Sequence, residues 1–282
     1  MKIIYTIEEM RKCSQELRDQ GKTIANMDTS GYLHEGHISL IKIAKNNADI
    51  VILSIDHIYD YDVEKPEKFP EFLKKYRQDT FQLDVECCKL HGVDILWYFE
   101  DSGSWNLKDD PPLNETLKDI MSNRCGLVSN MLKMWPQQLL VETPDITMAG
   151  AKDFYNGLII RHIINELNLP IKVISGPIIR DSDGMALNSR NRFLTSGQRK
   201  RATYIYKTLK EISEWDSYSS VEEIKNHFTA AIKNARGYLY YVDVCDAKTG
   251  EKLDVINTEA AIVVAANFGG TGLEDNIIIQ PK

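Results

Sequence analysis

The chain has 282 residues, enough to bury one large core or two modest ones. Apolar residues make up 43% and charged residues 27%, and the formal charge of −7 argues against a general affinity for nucleic-acid backbones or anionic membrane surfaces. No apolar run reaches the roughly 20 residues of a membrane helix, and the start MKIIYTIEEMRKCSQ meets acidic residues too early for a signal segment.

In chain order, Ile7 to Gln20 has the spacing of an amphipathic helix, and Lys22 to Met27 is a short strand breaking into a turn from Asp28 to Gly36. His37 to Asn47 resumes helical periodicity, and Asp49 to Ile55 reads as a buried strand. Glu71 to His91 is a helix closed by Gly92, and Val93 to Tyr98 a strand. Asn114 to Leu140 is helical, with Pro136 expected to end or kink it. Ile146 to Ala149, Ala151 to Leu167 and Ile171 to Ser175 then read as strand, helix and strand. This alternation predicts an α/β fold with a doubly wound, Rossmann-like parallel sheet and ligands at the carboxyl ends of its strands.

Beyond Pro177 the pattern changes. Helices are expected over Ser196 to Glu214 and Val221 to Asn234, with strands over Tyr238 to Cys245, Ala260 to Asn267 and Ile277 to Gln280. The predicted organisation is a Rossmann-like domain over 1–177 and a smaller C-terminal α+β domain over 178–282. Asp56 to Tyr76 and Ser102 to Pro112 read as two mobile loops. Five cysteines, odd in number and without a CxxC pair, suit a reducing cytoplasm and give no zinc spacing.

Three segments carry candidate chemistry. His34-Glu35-Gly36-His37 lies between a strand and a helix. Glycine there leaves room for a triphosphate, the helix N-terminus attracts anions, and two imidazoles can donate to phosphoryl oxygens. Gly150-Ala151-Lys152-Asp153 repeats the strand-to-helix placement. Its lysine is a point charge for phosphate, and Asp153 is a helix cap or a ribose ligand. The run Ile178 to Asn191 is polar and contains Gly184, Arg180 and Arg190; Arg190 suits phosphate oxygens and Ser189 can donate a hydroxyl. Taken singly these segments also read as surface histidines, a solvated lysine beside a cap, and a charged linker with Asn188 and Ser189 as cap residues.

Their order and spacing resemble the pantoate–β-alanine ligase (pantothenate synthetase) family of the HxGH nucleotidyltransferase superfamily. The resemblance rests on GYLHEGHISLIKIA, PDITMAGAKDF, NLPIKVISGPIIRDSDGMALNSRNRFL and the C-terminal YYVDVCDAKTG and AAIVVAANFGGTGLEDNIII, so it covers nearly the whole chain. It implies an ATP-dependent ligase that makes an acyl-adenylate, releases pyrophosphate, and transfers the acyl group to an amine with loss of AMP. By position it assigns His34, His37, Lys152, Ser189 and Arg190 to catalysis on the triphosphate. Gly36, Gly150, Asp153, Ile179 and Asn188 fall to nucleotide binding, Mg²⁺ to the triphosphate with Asp84 near it, and a homodimer to the assembly.

Departures from the family cluster on the acid side. The family's Pro-Thr-Met-Gly is Asp28-Thr29-Ser30-Gly31, so Ser30 stands for an apolar methionine. The segment Phe-Val-Asn-Pro-x-Gln-Phe becomes Asp56 to Asp62, with Ile58 in place of asparagine and Tyr61 in place of glutamine. A second glutamine becomes Asn156, and the Arg-x-x-His-Phe segment keeps Arg124 but carries Leu127 and Val128. A pocket that hydrogen-bonds its ligand discriminates strongly, so these positions imply an acid other than pantoate. An orthodox pantoate–β-alanine ligase, and a nucleotidyltransferase that stops at the nucleotidylated product, remain the alternatives.

Overall fold

The structure, a computed structural model, describes residues 1–55, 69–98, 114–218 and 220–282, the side chains of 69–79 and 120–130 excepted. Two compact units divide the chain: Met1–Gly150 with Ile159–Gly176, and Ala151–Leu158 with Pro177–Lys282.

The first unit is built on six parallel strands, β1 (Lys2–Ile4), β2 (Ile24–Thr29), β3 (Ile50–Ile55), β4 (Ile95–Tyr98), β5 (Ile146–Gly150) and β6 (Lys172–Gly176). Their order is β1-β4-β3-β2-β5-β6. The central strands read as continuous apolar runs because helices cover both faces of a parallel sheet. Val51 to Ile55 of β3 and Ile95 to Tyr98 of β4 are all buried. The crossovers run through α1 (Ile7–Asp19), α2 (Glu35–Lys45), α3 (Phe69–Leu90), α4 (Glu115–Glu142) and α5 (Phe154–Glu166). From β2 the chain winds one way to β3 and β4, and from β5 the other way to β6. The order therefore reverses between β2 and β5, the point where open α/β sheets take ligands beyond their carboxyl ends.

The second unit contains α6 (Ser196–Ala202), α7 (Tyr204–Ser213), α8 (Val221–Asn234) and an antiparallel sheet β7 (Tyr238–Asp246), β8 (Ala260–Phe268), β9 (Thr271–Ile279). Leu209, Ile212, Phe228, Ile232, Val264 and Phe268 form the heart of its core. The doubly wound parallel sheet with a smaller α+β region is the fold class expected from the sequence.

Several boundaries differ from expectation. The helix expected over Ser196 to Glu214 is two helices, broken at Thr203, whose hydroxyl donates to the Lys200 carbonyl at 2.9 Å. The last strand begins at Thr271, not Ile277, because Gly269 and Gly270, with φ of 65° and 95°, close a hairpin directly from β8. Pro136 does not end α4, which continues to Glu142. The helix expected from Glu71 begins at Phe69, so 69–76 belong to α3 and not to the first expected loop; 56–68 and the second expected loop lie outside the described residues. Asp28 belongs to β2, not to the turn after it, and the short edge strand β1 was not anticipated.

Candidate active site

The turn from β2 into α2 carries both histidines. His34 is the N-cap of α2, and its Nδ1 accepts the Gly36 N–H at 3.1 Å. His37 reaches back, and its Nδ1 accepts the His34 N–H at 3.3 Å. The two side chains thus close a reciprocal capping box, satisfying donors that a helix start leaves open. Because each Nδ1 is an acceptor, the neutral tautomer of each ring carries its proton on Nε2. The His37 Nε2 lies 3.1 Å from Thr29 Oγ1, and the ring centroids are 4.0 Å apart. Gly36 is required by this packing. A Cβ there would sit 2.8 Å from His34 Cε1 and 2.9 Å from its Nδ1.

The preceding residues need left-handed backbone, with φ of 84° at Gly31 and 53° at Tyr32. Asp84 of α3, only 3% exposed, holds that shape: its Oδ2 accepts the Tyr32 N–H at 2.8 Å and its Oδ1 the Leu33 N–H at 2.7 Å. Burial raises its carboxyl above the ordinary range, and the two N–H bonds act the other way. Asp84, which the resemblance sets near the magnesium, has both oxygens hydrogen-bonded to backbone, and those two bonds anchor the histidine turn. Among the described residues no group of three His, Cys, Asp or Glu side chains is arranged to hold a metal ion.

Below this turn lies a polar cluster that the sequence reading did not detect. Glu142, the last residue of α4, is fully buried and accepts hydrogen bonds from Ser54 Oγ and Asn26 Nδ2. Gln138 Nε2 lies 3.5 Å from Glu142 Oε1 and 3.3 Å from Asp28 Oδ1, and Trp135 Nε1 donates to Asp28 Oδ2 at 3.3 Å. Burial pushes Glu142 up to about 8, against the bonds from Ser54 and Asn26, and the charge of Asp28 adds to the rise. At neutral pH the folded chain therefore keeps a proton on Glu142. The signals in the sequence were single polar residues, Asn26 and Ser54, inside buried strands.

In the second unit, Lys152 and Asp153 occupy the turn before α5. The Lys152 ammonium contacts Asp153 Oδ1 at 2.5 Å, and the Asp153 carbonyl accepts the Asn156 N–H at 2.9 Å. Asn156 Oδ1 is buried and has no hydrogen-bond partner in the structure. Farther along, Asn188 caps a 3-10 turn over Ser189–Phe193, its Oδ1 accepting the Arg190 N–H at 3.0 Å. Ser189 is half-buried, and exposed Arg190 donates to the Gly272 carbonyl at 3.2 Å. The Ile179 carbonyl accepts the Leu187 N–H at 2.9 Å, which ties the two ends of the connecting hairpin together. Lys152, Asp153, Asn156, Ile179, Asn188, Ser189 and Arg190 thus belong to one unit, whereas Ser30, His34, Gly36, His37, Asp84 and Gly150 belong to the other. Ile58 and Tyr61 lie outside the described residues, as does the side chain of Arg124.

Comparison with known proteins decides the family. A family model described as pantoate-beta-alanine ligase matches residues 2–278. The chain belongs to the pantoate–β-alanine ligase family. It is accordingly an enzyme of the ATP-dependent, AMP-forming C–N ligase class. The pantothenate synthetase of Thermotoga neapolitana is 30% identical over 287 residues, covering 99% of this chain and 100% of that one. Among solved structures, pantothenate synthetase from Thermus thermophilus matches with a TM-score of 0.82 at 23% identity over 100% of both chains, a likeness of fold. Pantoate-beta-alanine ligase from Francisella tularensis, complexed with beta-gamma ATP and beta-alanine, matches with a TM-score of 0.75 at 26% identity, covering 99% of this chain and 97% of that one.

Proposed function

We propose that this pantoate–β-alanine ligase relative joins a small carboxylic acid to a small amine through an acyl-adenylate. A carboxylate oxygen of the acid attacks the α-phosphorus of ATP, and pyrophosphate leaves. The amine nitrogen then attacks the acyl carbon, AMP leaves, and the amine gives up a proton. The observation that carries this reading is the capping box at the start of α2, which turns both imidazoles into Nε2–H donors at a helix N-terminus. Such donors favour the charge that develops on phosphoryl oxygens.

In this reading His34 and His37 stabilise the transition state, and Lys152, Ser189 and Arg190 hold the triphosphate and the departing pyrophosphate. Gly36 leaves room for the phosphates, Gly150 and Asp153 face the ribose, the Ile179 backbone faces the adenine, and Asn188 shapes the Ser189–Arg190 turn. Mg²⁺ is brought by the triphosphate, a homodimer is the expected assembly, and the cytoplasm, where cysteines stay reduced, is the expected compartment.

For the acid, two readings divide on particular residues. Pantoate, with β-alanine as the amine, is supported by the family match along the whole chain and by the unpartnered Asn156 Oδ1, an acceptor suited to a hydroxyl. An altered acid is supported by Ser30 and Tyr61 where the family carries methionine and glutamine, and by Asp28 held at the end of β2. The discriminating experiment is ATP–pyrophosphate exchange over a panel of hydroxy and amino acids that includes pantoate. Fastest exchange with pantoate makes the enzyme orthodox; fastest exchange with another acid makes the rewritten pocket its cause. Free AMP that appears only when amine is added supports the ligase. A stable nucleotidylated product instead identifies a nucleotidyltransferase and overturns the proposal.

A further inference from the structure

We propose that Asn276 is a positioning residue for Lys152, setting the direction of the lysine side chain from the far end of the sequence. Asn276 lies on β9 and is 3% exposed. Its Nδ2 donates to two successive carbonyls, Ala151 O and Lys152 O, each at 2.8 Å. Those carbonyls belong to the two peptide planes on either side of the Lys152 Cα. Because peptide units are planar, a residue's φ and ψ are the rotations of its flanking planes. One side-chain amide therefore fixes both planes, and with them the direction in which the Lys152 Cβ leaves the backbone. No flipped amide serves this purpose, since carbonyl acceptors require the nitrogen.

The anchor is itself immobilised. Asn276 pairs with Val263 of β8, and its own N–H donates to Asp275 Oδ1 at 2.8 Å. Asp275 makes a two-pronged ion pair with Arg180, at 2.6 and 2.9 Å. Neighbouring strand residues point to opposite faces, so Asp275 and Asn276 grip different segments from one place. Lys152 also gains from a fixed stem because an ammonium on four flexible carbons is otherwise spread over many rotamers. Both carbonyls of the turn point to Asn276 on β9.

The inference rests on the assignment of Lys152 to the triphosphate, and the experiment separates the two. MgATP is titrated calorimetrically into the full chain as wild type, Lys152→Ala, Asn276→Ala and the double variant, with thermal melting of each. Lys152→Ala is expected to weaken MgATP about tenfold, the scale of one charge-assisted contact. Asn276→Ala is expected to weaken it about three- to tenfold when Lys152 is present and less than about twofold when Lys152 is already alanine. Asn276→Asp, which keeps the shape and removes the donor, should reproduce the loss; it carries the cycle if the alanine variant does not fold. A purely structural asparagine would lower the melting temperature while leaving MgATP affinity unchanged, or would weaken binding by the same factor in both backgrounds. Either result overturns the proposal. Unaltered affinity in Lys152→Ala instead overturns the triphosphate assignment, whatever Asn276 does.

Discussion

The two strand-to-helix turns that carry the candidate chemistry are stabilised by opposite kinds of information. After β2, the start of α2 is capped by its own residues, with His34 capping, His37 returning to the His34 N–H and Gly36 leaving space for the first ring, and only the residues just before it lean on Asp84. After β5, the Lys152 turn takes its shape from Asn276, whose amide reaches Ala151 across 125 positions of sequence. The difference bears on how each fails. A self-capped turn loses function through its own residues, whereas a turn clamped from a distance loses it through a residue that never touches substrate.

His37→Ala strikes the self-capped turn at both its tasks and carries the largest expected effect. It removes one Nε2–H donor and also the acceptor for the His34 N–H. Loss of a preorganised donor costs about 2 to 4 kcal/mol of transition-state stabilisation. Acid-dependent pyrophosphate exchange should fall accordingly while the protein still folds. Exchange close to the wild-type rate would remove His37 from the transition state and leave it as a helix cap.

Asp84→Asn sharpens the comparison by testing how self-contained the histidine turn is. The amide keeps one acceptor and turns an NH₂ toward the other backbone N–H, at either Tyr32 or Leu33. An unsatisfied buried donor costs about 1 to 3 kcal/mol. The melting temperature should drop by a few degrees, and exchange should fall with it as the histidines lose their fixed base. An undisturbed melting temperature would show that Gly31 and Tyr32 hold their left-handed backbone without Asp84.

The contrast between the turns also explains what the sequence made legible. The parallel sheet was readable because buried strands such as IVILSI advertise themselves by composition, and the histidine turn because its cap, glycine and partner lie within four residues. Thr203 was not readable as a break, since the residues on both sides retain helical spacing. The Lys152 clamp was hidden for a different reason. Asp275 and Asn276 lie buried in β9 beside Ile277 to Ile279, but no local pattern identifies their partners. The two N–H bonds that Asp84 accepts were hidden likewise, because a lone carboxylate gives no indication that backbone some fifty positions earlier will meet it.

Glu142 extends this logic below the histidine turn, where the expected effect lies in the pH dependence of stability. Its carboxyl is pushed up from 4.5 to about 8, chiefly by complete burial. Between those pH values the folded chain keeps a proton that the unfolded chain has released. Stability must therefore fall as pH rises through that window, and the contribution is lost above about pH 8. Glu142→Gln is neutral at every pH and retains an oxygen and a nitrogen for Ser54, Asn26 and Gln138. Its melting temperature should vary less steeply than wild type between pH 5 and 8, on the order of one proton's linkage, with the gap between the proteins widest at the alkaline end. Parallel curves would mean that the folded chain holds Glu142 ionised. In that case the cluster under β2 would hold a buried, ionised carboxylate, and an acid substrate approaching that strand end would meet its repulsion.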